Sequence, residues 1–311
     1  MRIGITGGAG FIGSNLAAAL VRSGHKISIF DNFDTGFRKN IENLSVSVMQ
    51  DDLRNMAAVN EFFSKYKIEY CVHLGALGSV PRSIENPRAS FESNAIGTLN
   101  VLEAARINLT PVLFSSSSSV YGLNDNLPKV EKDWLSPLSP YAASKLAAES
   151  LILAFRESYG LPISIYRLFN VYGPHQTSES VYAAVLPKWI FAAFNNQPLV
   201  VFGDGEQKRD FTFVDDVISV FEKSIKNNHN IDYPINLAFG KPVTLNQILQ
   251  IFKKYFGKIT VDYRDVRKGD IRDSESNPAS LMNLHNHKLS QTPLESGLVS
   301  TFEWFKINYN F

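Results

Sequence analysis

The chain opens MRIGITGGAGFIG (Met1–Gly13), and the reading of these residues decides the fold class. Ile3–Thr6 is a short apolar run of strand character. It leads into Gly7, Gly10 and Gly13, spaced GxxGxxG. FIGSNLAAALVRSG follows, where Ile12, Leu16 and Leu20 recur every four residues and Gly24 closes the segment, the pattern of a helix. Strand, glycine turn and helix in that order let the backbone approach a pyrophosphate and rest it on the helix N-terminus. A second strand, Lys26–Asp31, ends on a carboxylate. Asp31 there can accept hydrogen bonds from both hydroxyls of an adenosine ribose and would repel a 2′-phosphate, so NAD is expected rather than NADP. Asp51, Asp52 and Leu53 follow a third strand, Val46–Met49. Asp52 is the candidate at the adenine edge, with a helix N-cap as its alternative.

Further strands are expected at Tyr70–Leu74, Val112–Ser115 and Ile163–Arg167. Helical patterns lie between them: NAIGTLNVLEAARIN carries the stripe Ile96, Leu99 and Leu102, and YAASKLAAESLILAFRESYG closes on Gly160. This alternation predicts an α/β fold, a Rossmann-type doubly wound parallel sheet with right-handed crossovers. After about residue 170 the alternation loosens, and one clear helix remains at Leu245–Phe256, with Thr244 and Gln247 as a capping box. Two domains are therefore expected, 1–169 for the dinucleotide and 170–311 as a smaller mixed α/β substrate domain. A segment near 211–228 is expected to rejoin the first. At 311 residues, 44% apolar and 20% charged, the chain has an ordinary globular balance. Its net charge of +1 argues against a nucleic-acid surface. No apolar run approaches the roughly 20 residues of a membrane span, and no signal-peptide layout is visible, so a soluble cytoplasmic protein is expected. Cys71, the single cysteine, sits in the apolar run EYCVHLGA and reads as a buried strand residue.

FSSSSSVYG (Phe114–Gly122) has two readings, a flexible linker or the end of a strand where one hydroxyl does chemistry. SPYAASK puts Tyr141 and Lys145 one helical turn apart on a shared face. A nearby ammonium and a nicotinamide cation would both favour the phenolate and bring Tyr141 below its usual value near 10. A tyrosine four before a lysine is common by chance. Joined to the glycine loop and the serine-ended strand, the pair reads as a catalytic base with its helper.

Together GGAGFIG, HLGA, SSSSSVYG, SPYAASK, RLFNVYGP, RDFTFVDD and RKGDIRDS resemble the extended short-chain dehydrogenase/reductases, in particular nucleotide-sugar epimerases, over nearly the whole chain. The resemblance implies that the serines are no linker and that Ser117, four before the tyrosine of VYG, is the hydroxyl that bonds the reacting sugar. It adds Phe11, Ile12, Asn32, Leu53, Leu74 and Ala76 to Gly7, Gly10, Gly13, Asp31 and Asp52 around NAD, with Tyr141 and Lys145 at the nicotinamide ribose. In sugar 4,6-dehydratases the two positions after Ser117 are Asp and Glu. Here they are Ser118 and Ser119, poor acids and bases at neutral pH. For substrate, the resemblance implies Asn170, Arg209 and Arg267 at a diphosphate and Asp270 at the nucleotide ribose, with Leu186 and Pro187 walling the uracil. Ser79 then lies along the hexose. An ordinary surface ion pair is the alternative for each arginine. LGSVPRS (Leu77–Ser83), and Ser274 where a bulky tyrosine often stands, are most like the epimerases of N-acetylated UDP-sugars. Asn277 in place of Asp, and no Leu-Gly before Pro293, depart from the pattern.

The resemblance thus implies reversible 4-epimerisation of a UDP-sugar, UDP-N-acetylglucosamine and UDP-N-acetylgalactosamine first. Alternatives are UDP-glucose, a UDP-uronic acid, a 4-ketosugar reductase or a catalytically silent NAD-binding protein. No metal ion is expected, and a homodimer through a helix bundle that includes the Tyr141–Tyr159 helix is implied.

Overall fold

The computed structural model describes residues 1–177, 184–266 and 272–311. Their contacts group into two units, Met1–Asn124 with Trp134–Leu168 and Ile218–Ile235, and Asp125–Asp133 with Phe169–Val217 and Asn236–Phe311. Of the stretch expected to return to the first domain, Ile218 onward groups with the first unit and Phe211–Val217 with the second.

In the first unit six strands, β1 (Arg2–Thr6), β2 (Lys26–Phe30), β3 (Val46–Met49), β4 (Tyr70–His73), β5 (Val112–Ser117) and β6 (Ile163–Leu168), pair in parallel. With Ile235–Leu237 they form a seven-stranded sheet, ordered Ile235–Leu237, β6, β5, β4, β1, β2, β3. Ile3, Ile5, Cys71 and Val72 are fully buried, as central strands covered on both faces require. Burial pushes the Cys71 thiol up to about 12, leaving it inert. The chain leaves β1 in one direction through β2 and β3, then returns to place β4 on the other side of β1. That reversal is the crevice where an open parallel sheet binds ligands.

Helices α1 (Phe11–Arg22), α2 (Met56–Tyr66), α3 (Val80–Glu85), α4 (Pro87–Phe91), α5 (Gly97–Ile107) and α6 (Pro140–Tyr159) complete this unit, with the C-terminal part of α8 (Val214–Asn227). Ser139 caps α6 by accepting from the Ala142 N–H at 3.2 Å, Pro140 occupies its first turn, and Gly160 ends it at φ 67°. Two local expectations need correcting. β5 runs on to Ser117, two residues beyond the expected end. The stripe Ile96, Leu99, Leu102 does not face the core as one: Leu102 is buried, but Ile96 is 41% exposed. A π turn at Glu92–Ile96 takes an extra residue into the helix and rotates its face before α5 begins.

The second unit holds α7 (Val185–Phe194), α9 (Leu245–Phe256), α10 (Ala279–Leu284) and α11 (Leu294–Asn308) with short strand pairs. Leu199–Phe202 runs parallel to Val261–Arg264, and Lys208–Arg209 antiparallel to Val243–Thr244. The capping box at Thr244 and Gln247 forms as read, with both reciprocal bonds made. Trp189, Phe252, Phe256 and Phe302 pack edge-to-face and tilted around one another, supplying much of this core. Among the described residues no helix is long and apolar enough to cross a membrane.

Candidate active site

Two glycines of the GxxGxxG stretch cannot be replaced without moving the backbone. Gly7 has φ 69°, and a Cβ on it would lie 2.7 Å from the Gly75 nitrogen, where the loops after β1 and β4 meet. A Cβ on Gly13 would lie 2.2 Å from the Gly7 carbonyl oxygen. Gly10 is the N-cap residue of α1, where no side chain caps the first turn. The N–H groups there suit an anion. Phe11 and Ile12 open that turn. Asp31 lies just past β2, buried, and is already at work. Its carboxylate accepts from the Ala9 N–H at 2.9 Å and the Phe33 N–H at 2.8 Å, fastening the glycine loop to the strand end. Burial raises its pKa and the Phe33 and Ala9 bonds oppose the rise. Each oxygen keeps acceptor capacity for a ribose hydroxyl. This glycine cradle and acidic strand end fit an NAD nucleotide.

The neighbours of Asp31 are engaged as well. Asp52 is held by Arg54, which donates from Nε and Nη2 at 2.8 Å each, and by Asn32 Nδ2 at 3.0 Å. The Arg54 bonds bring its carboxyl down to about 2. The N-cap alternative for Asp52 is excluded, because Asn55 caps α2 by accepting from the Ala58 N–H. Leu53 packs beside Gly75, in the loop after β4, and Gly97, the first residue of α5, and the Leu74 N–H bonds the Thr6 carbonyl at 3.1 Å.

At the end of β5, Ser117 leads into a tight 3₁₀ turn, Ser118–Tyr121. Ser119 donates to Ser117 Oγ twice, from Oγ at 2.9 Å and from its N–H at 3.2 Å. Tyr141, in the first turn of α6, hydrogen-bonds Ser117. One turn on, Lys145 Nζ donates to the Ser115 carbonyl at 2.9 Å and lies over the Phe114 ring. Burial lowers Lys145 to about 8, with Glu149 opposing. In the chain by itself burial raises the Tyr141 pKa and the Ser117 hydrogen bond works the other way; the expected lowering includes the nicotinamide cation and belongs to the NAD-bound enzyme.

Beneath these residues lies a polar network that sequence reasoning missed. Glu149 and Arg167 are 2% and 3% exposed and form a two-pronged pair, Nε–Oε1 3.0 Å and Nη2–Oε2 2.8 Å. Arg167 also donates to Tyr121 Oη at 3.0 Å, and Ser116 Oγ donates to Glu149. The signals were present: Tyr141, Lys145 and Glu149 recur every four residues, and Arg167 is a lone charge in an apolar strand, which must be paired to be buried. Asn94, inside the π turn, accepts from the Leu77 N–H at 2.7 Å and donates to Ser144 Oγ at 2.9 Å, tying the loop after β4 to α6.

His73 is likewise buried. Thr98 Oγ1 donates to the Asn94 carbonyl and so accepts from His73 Nε2 at 2.9 Å. Nδ1 then accepts from Thr6 Oγ1 at 2.6 Å, and the ring is neutral. Burial, and then the Lys145 charge, lower its pKa to about 3. The unfolded chain takes up this proton near 6.5 and the folded chain does not until about 3, so stability falls as pH drops through that window. Between pH 7 and 5 this one group should remove about 2 kcal/mol, read from urea unfolding at both pH values. His73→Asn, which keeps a donor and an acceptor, should lack that increment; an unchanged pH dependence would refute it.

In the second unit a cavity of about 240 Å³ is lined by Asn170, Leu186, Val200, Phe202, Arg209 and Leu245, among others. It brings together three of the residues assigned to substrate. Asn170 sits at φ 36°, a left-handed position that asparagine tolerates, and donates from Nδ2 to the Asp210 carbonyl at 3.3 Å. Leu186 is buried on the first turn of α7. Arg209 Nη1 donates to the carbonyls of Lys208 and Arg272, at 2.9 and 2.5 Å. Ser274 bonds the same strand through its backbone, to the Lys208 oxygen at 3.0 Å and from the Asp210 nitrogen at 2.9 Å, beside Arg209. Ser79 belongs to the first unit, where its hydroxyl caps α3 by accepting from the Arg82 N–H. Arg267 and Asp270 lie outside the described residues.

A model of the NAD dependent epimerase/dehydratase family matches residues 3–238. The chain belongs to that family. This NAD-dependent family member is 33% identical to the UDP-glucuronate 4-epimerase of Thermodesulfobacterium geofontis, across 98% of this chain and 96% of that one. Among solved structures it resembles a UDP-N-acetylglucosamine 4-epimerase from Methanobrevibacter ruminantium M1 in complex with UDP-N-acetylmuramic acid. The two are 37% identical with a TM-score of 0.91, over 98% and 97% of the chains. It also resembles the UDP-glucuronic acid 4-epimerase of Bacillus cereus, bound to UDP-glucuronic acid and NAD, at 28% identity and a TM-score of 0.90 over 99% of each chain. The family member is thus an NAD-dependent enzyme whose relatives and structural neighbours include UDP-sugar 4-epimerases.

Proposed function

We propose that this enzyme interconverts UDP-N-acetylglucosamine and UDP-N-acetylgalactosamine by epimerisation at C4. The observation that carries this reading is the hydroxyl pair of Ser117, at the end of β5, and Tyr141, in the first turn of α6, with Ser118 and Ser119 after Ser117 where elimination of water would need carboxyls. Bound NAD supplies a hydride acceptor and donor for the sugar C4. Tyr141 takes the proton of the 4-hydroxyl and returns it to the oxygen after the 4-keto sugar has turned. Ser117 holds that oxygen, and Lys145 keeps two N–H donors for the nicotinamide ribose. Asn170 and Arg209 take the diphosphate, while Leu186 and Phe202 wall the base; Arg267 and Asp270 are assigned by resemblance alone.

The test is proton NMR of the purified protein with UDP-N-acetylglucosamine and no added reductant. New signals of the galacto epimer are expected, with no 4-keto-6-deoxy sugar. A second reading, UDP-glucuronate as substrate, is supported by the 33% identical relative, and the same measurement with that sugar decides between them.

Ser274 is proposed as the size filter for the acetamido group, supported by its place beside Arg209. Ser274→Tyr would overpack that space at a cost of about 1–3 kcal/mol. Turnover of UDP-N-acetylglucosamine should fall by about one to two orders of magnitude while UDP-glucose is largely spared. An equal loss of kcat/KM for both sugars would remove Ser274 from this role.

A homodimer is proposed as well. Ile84, Phe91, Ile96 and Ile107 leave large apolar side chains exposed on α3 to α5, and Tyr159 does so on α6. Light scattering should give twice the 34.8 kDa of one chain, and Ile96→Glu should reduce that mass towards the monomer.

A further inference from the structure

Ser117 carries one proton and two lone pairs, so the direction of its hydrogen bond to Tyr141 depends on what occupies those lone pairs. The Ser119 N–H can only donate, and it points at Ser117 Oγ from 3.2 Å. The Ser119 hydroxyl donates to the same oxygen from 2.9 Å. Both lone pairs of Ser117 are then filled from one residue. A tyrosine proton offered to Ser117 would find no acceptor, and the Ser117 proton is left free to serve the phenolic oxygen. Backbone holds this arrangement: Ser119 lies in the 3₁₀ turn Ser118–Tyr121, whose Val120 and Tyr121 side chains are buried.

We infer that Ser119 is a positioning residue for the reaction: it fixes Ser117 as a one-way hydrogen-bond donor towards Tyr141 and the oxygen that Tyr141 deprotonates. The inference rests on Tyr141 being the base. A fixed donor favours the phenolate over the phenol, so Ser119 favours the base form at a distance, without touching the sugar. When Tyr141 takes the proton from the 4-hydroxyl, the O–H bond of the sugar breaks and a phenol O–H forms. The Ser117 donor is then equally suited to the developing 4-oxygen. When the proton returns, the roles reverse and Ser117 keeps its own hydrogen throughout. A carboxylate at position 119 would accept from Ser117 instead of donating to it and would turn that hydrogen away. Serine rather than an acidic residue at position 119 therefore orients a hydroxyl, besides supplying no acid. The charged and titratable groups around this pair are Lys145, with Glu149 and His73 behind it, and none of them bonds Ser119 in the described hydrogen bonds.

The decisive comparison is between Ser119→Ala and Ser119→Thr, assayed with the UDP-sugar that the wild type turns over. Ser119→Ala should lower kcat about tenfold, with KM within twofold. It should also move the acidic limb of the kcat/KM profile, which reports the Tyr141 base, to higher pH. Ser119→Thr retains the hydroxyl and should restore both. In a Ser117→Ala background, Ser119→Ala should cost nothing further. Independent, multiplicative losses from the two serines would overturn the inference, as would an unmoved acidic limb in Ser119→Ala or a loss expressed only in KM. Tyr141→Phe is measured alongside. If that variant stays active, the base assignment itself fails; if it is inactive while Ser119→Ala behaves as wild type, only the role given to Ser119 fails.

Discussion

Tyr141→Phe should lower turnover about 10²- to 10⁴-fold, the usual worth of a positioned general acid–base. Affinity for the UDP-sugar, read by calorimetry, should change little. The phenol oxygen is the one atom removed, and the ring remains in the first turn of α6. The Ser117 hydroxyl loses its acceptor, but with Ser119 holding its lone pairs it keeps its place on the strand end. The pH profile carries a second expectation. Because burial raises the phenol pKa and only Ser117 opposes it, the wild-type chain without nucleotide is mostly phenol at neutral pH. Bound NAD would bring a cation that favours the phenolate, so the rate should climb with pH up to the lower pKa of the loaded enzyme. Near-normal turnover by the phenylalanine variant would mean that another group takes the proton.

Arg167→Leu should be the most damaging single change to stability. It leaves the Glu149 carboxylate 2% exposed with its two-pronged partner gone. Breaking a buried pair from one side costs about 3–5 kcal/mol, since the remaining charge is neither solvated nor neutralised. Urea unfolding should show this loss. Glu149→Gln combined with Arg167→Met should recover most of it, because removing both charges removes the desolvation cost as well. The double variant has a chemical signature of its own. Glu149 is what opposes the burial of Lys145, so its loss should drive the Lys145 pKa further below about 8. If Arg167→Leu unfolds at the wild-type urea concentration, the pair does not bear on stability.

What could be read in advance was whatever is written into neighbouring residues. GGAGFIG demanded a tight turn between strand and helix, because Gly7 and Gly13 tolerate no Cβ. Tyr141 and Lys145 share a helix face because the helix repeats every 3.6 residues. The capping box at Thr244 closes on a residue three positions away. The resemblance to epimerases added roles, and Asn170, Leu186 and Arg209 do line one cavity in the second unit. The polar partners of those residues were another matter. Glu149 and Arg167 are 18 positions apart, and His73 meets Thr6 and Thr98 across 67 and 25 positions. Asp52, expected at the adenine edge, also carries Arg54 on both of its oxygens, a partner the spacing did not announce. The burial of the Tyr141 phenol, which raises its pKa in the chain by itself, was likewise not legible from a lysine four residues away.

By itself, then, the amino-acid order determined the strand–helix alternation, the glycine turn, the acidic end of β2 and the family to which these motifs belong. All of these follow from steric and periodic rules acting over a few residues. Only the tertiary structure decided which polar groups would be shut away from water together and how strongly each would titrate. Burial and pairing are set by segments that meet in space, and an electrostatic interaction depends on distance and surroundings rather than on position along the chain.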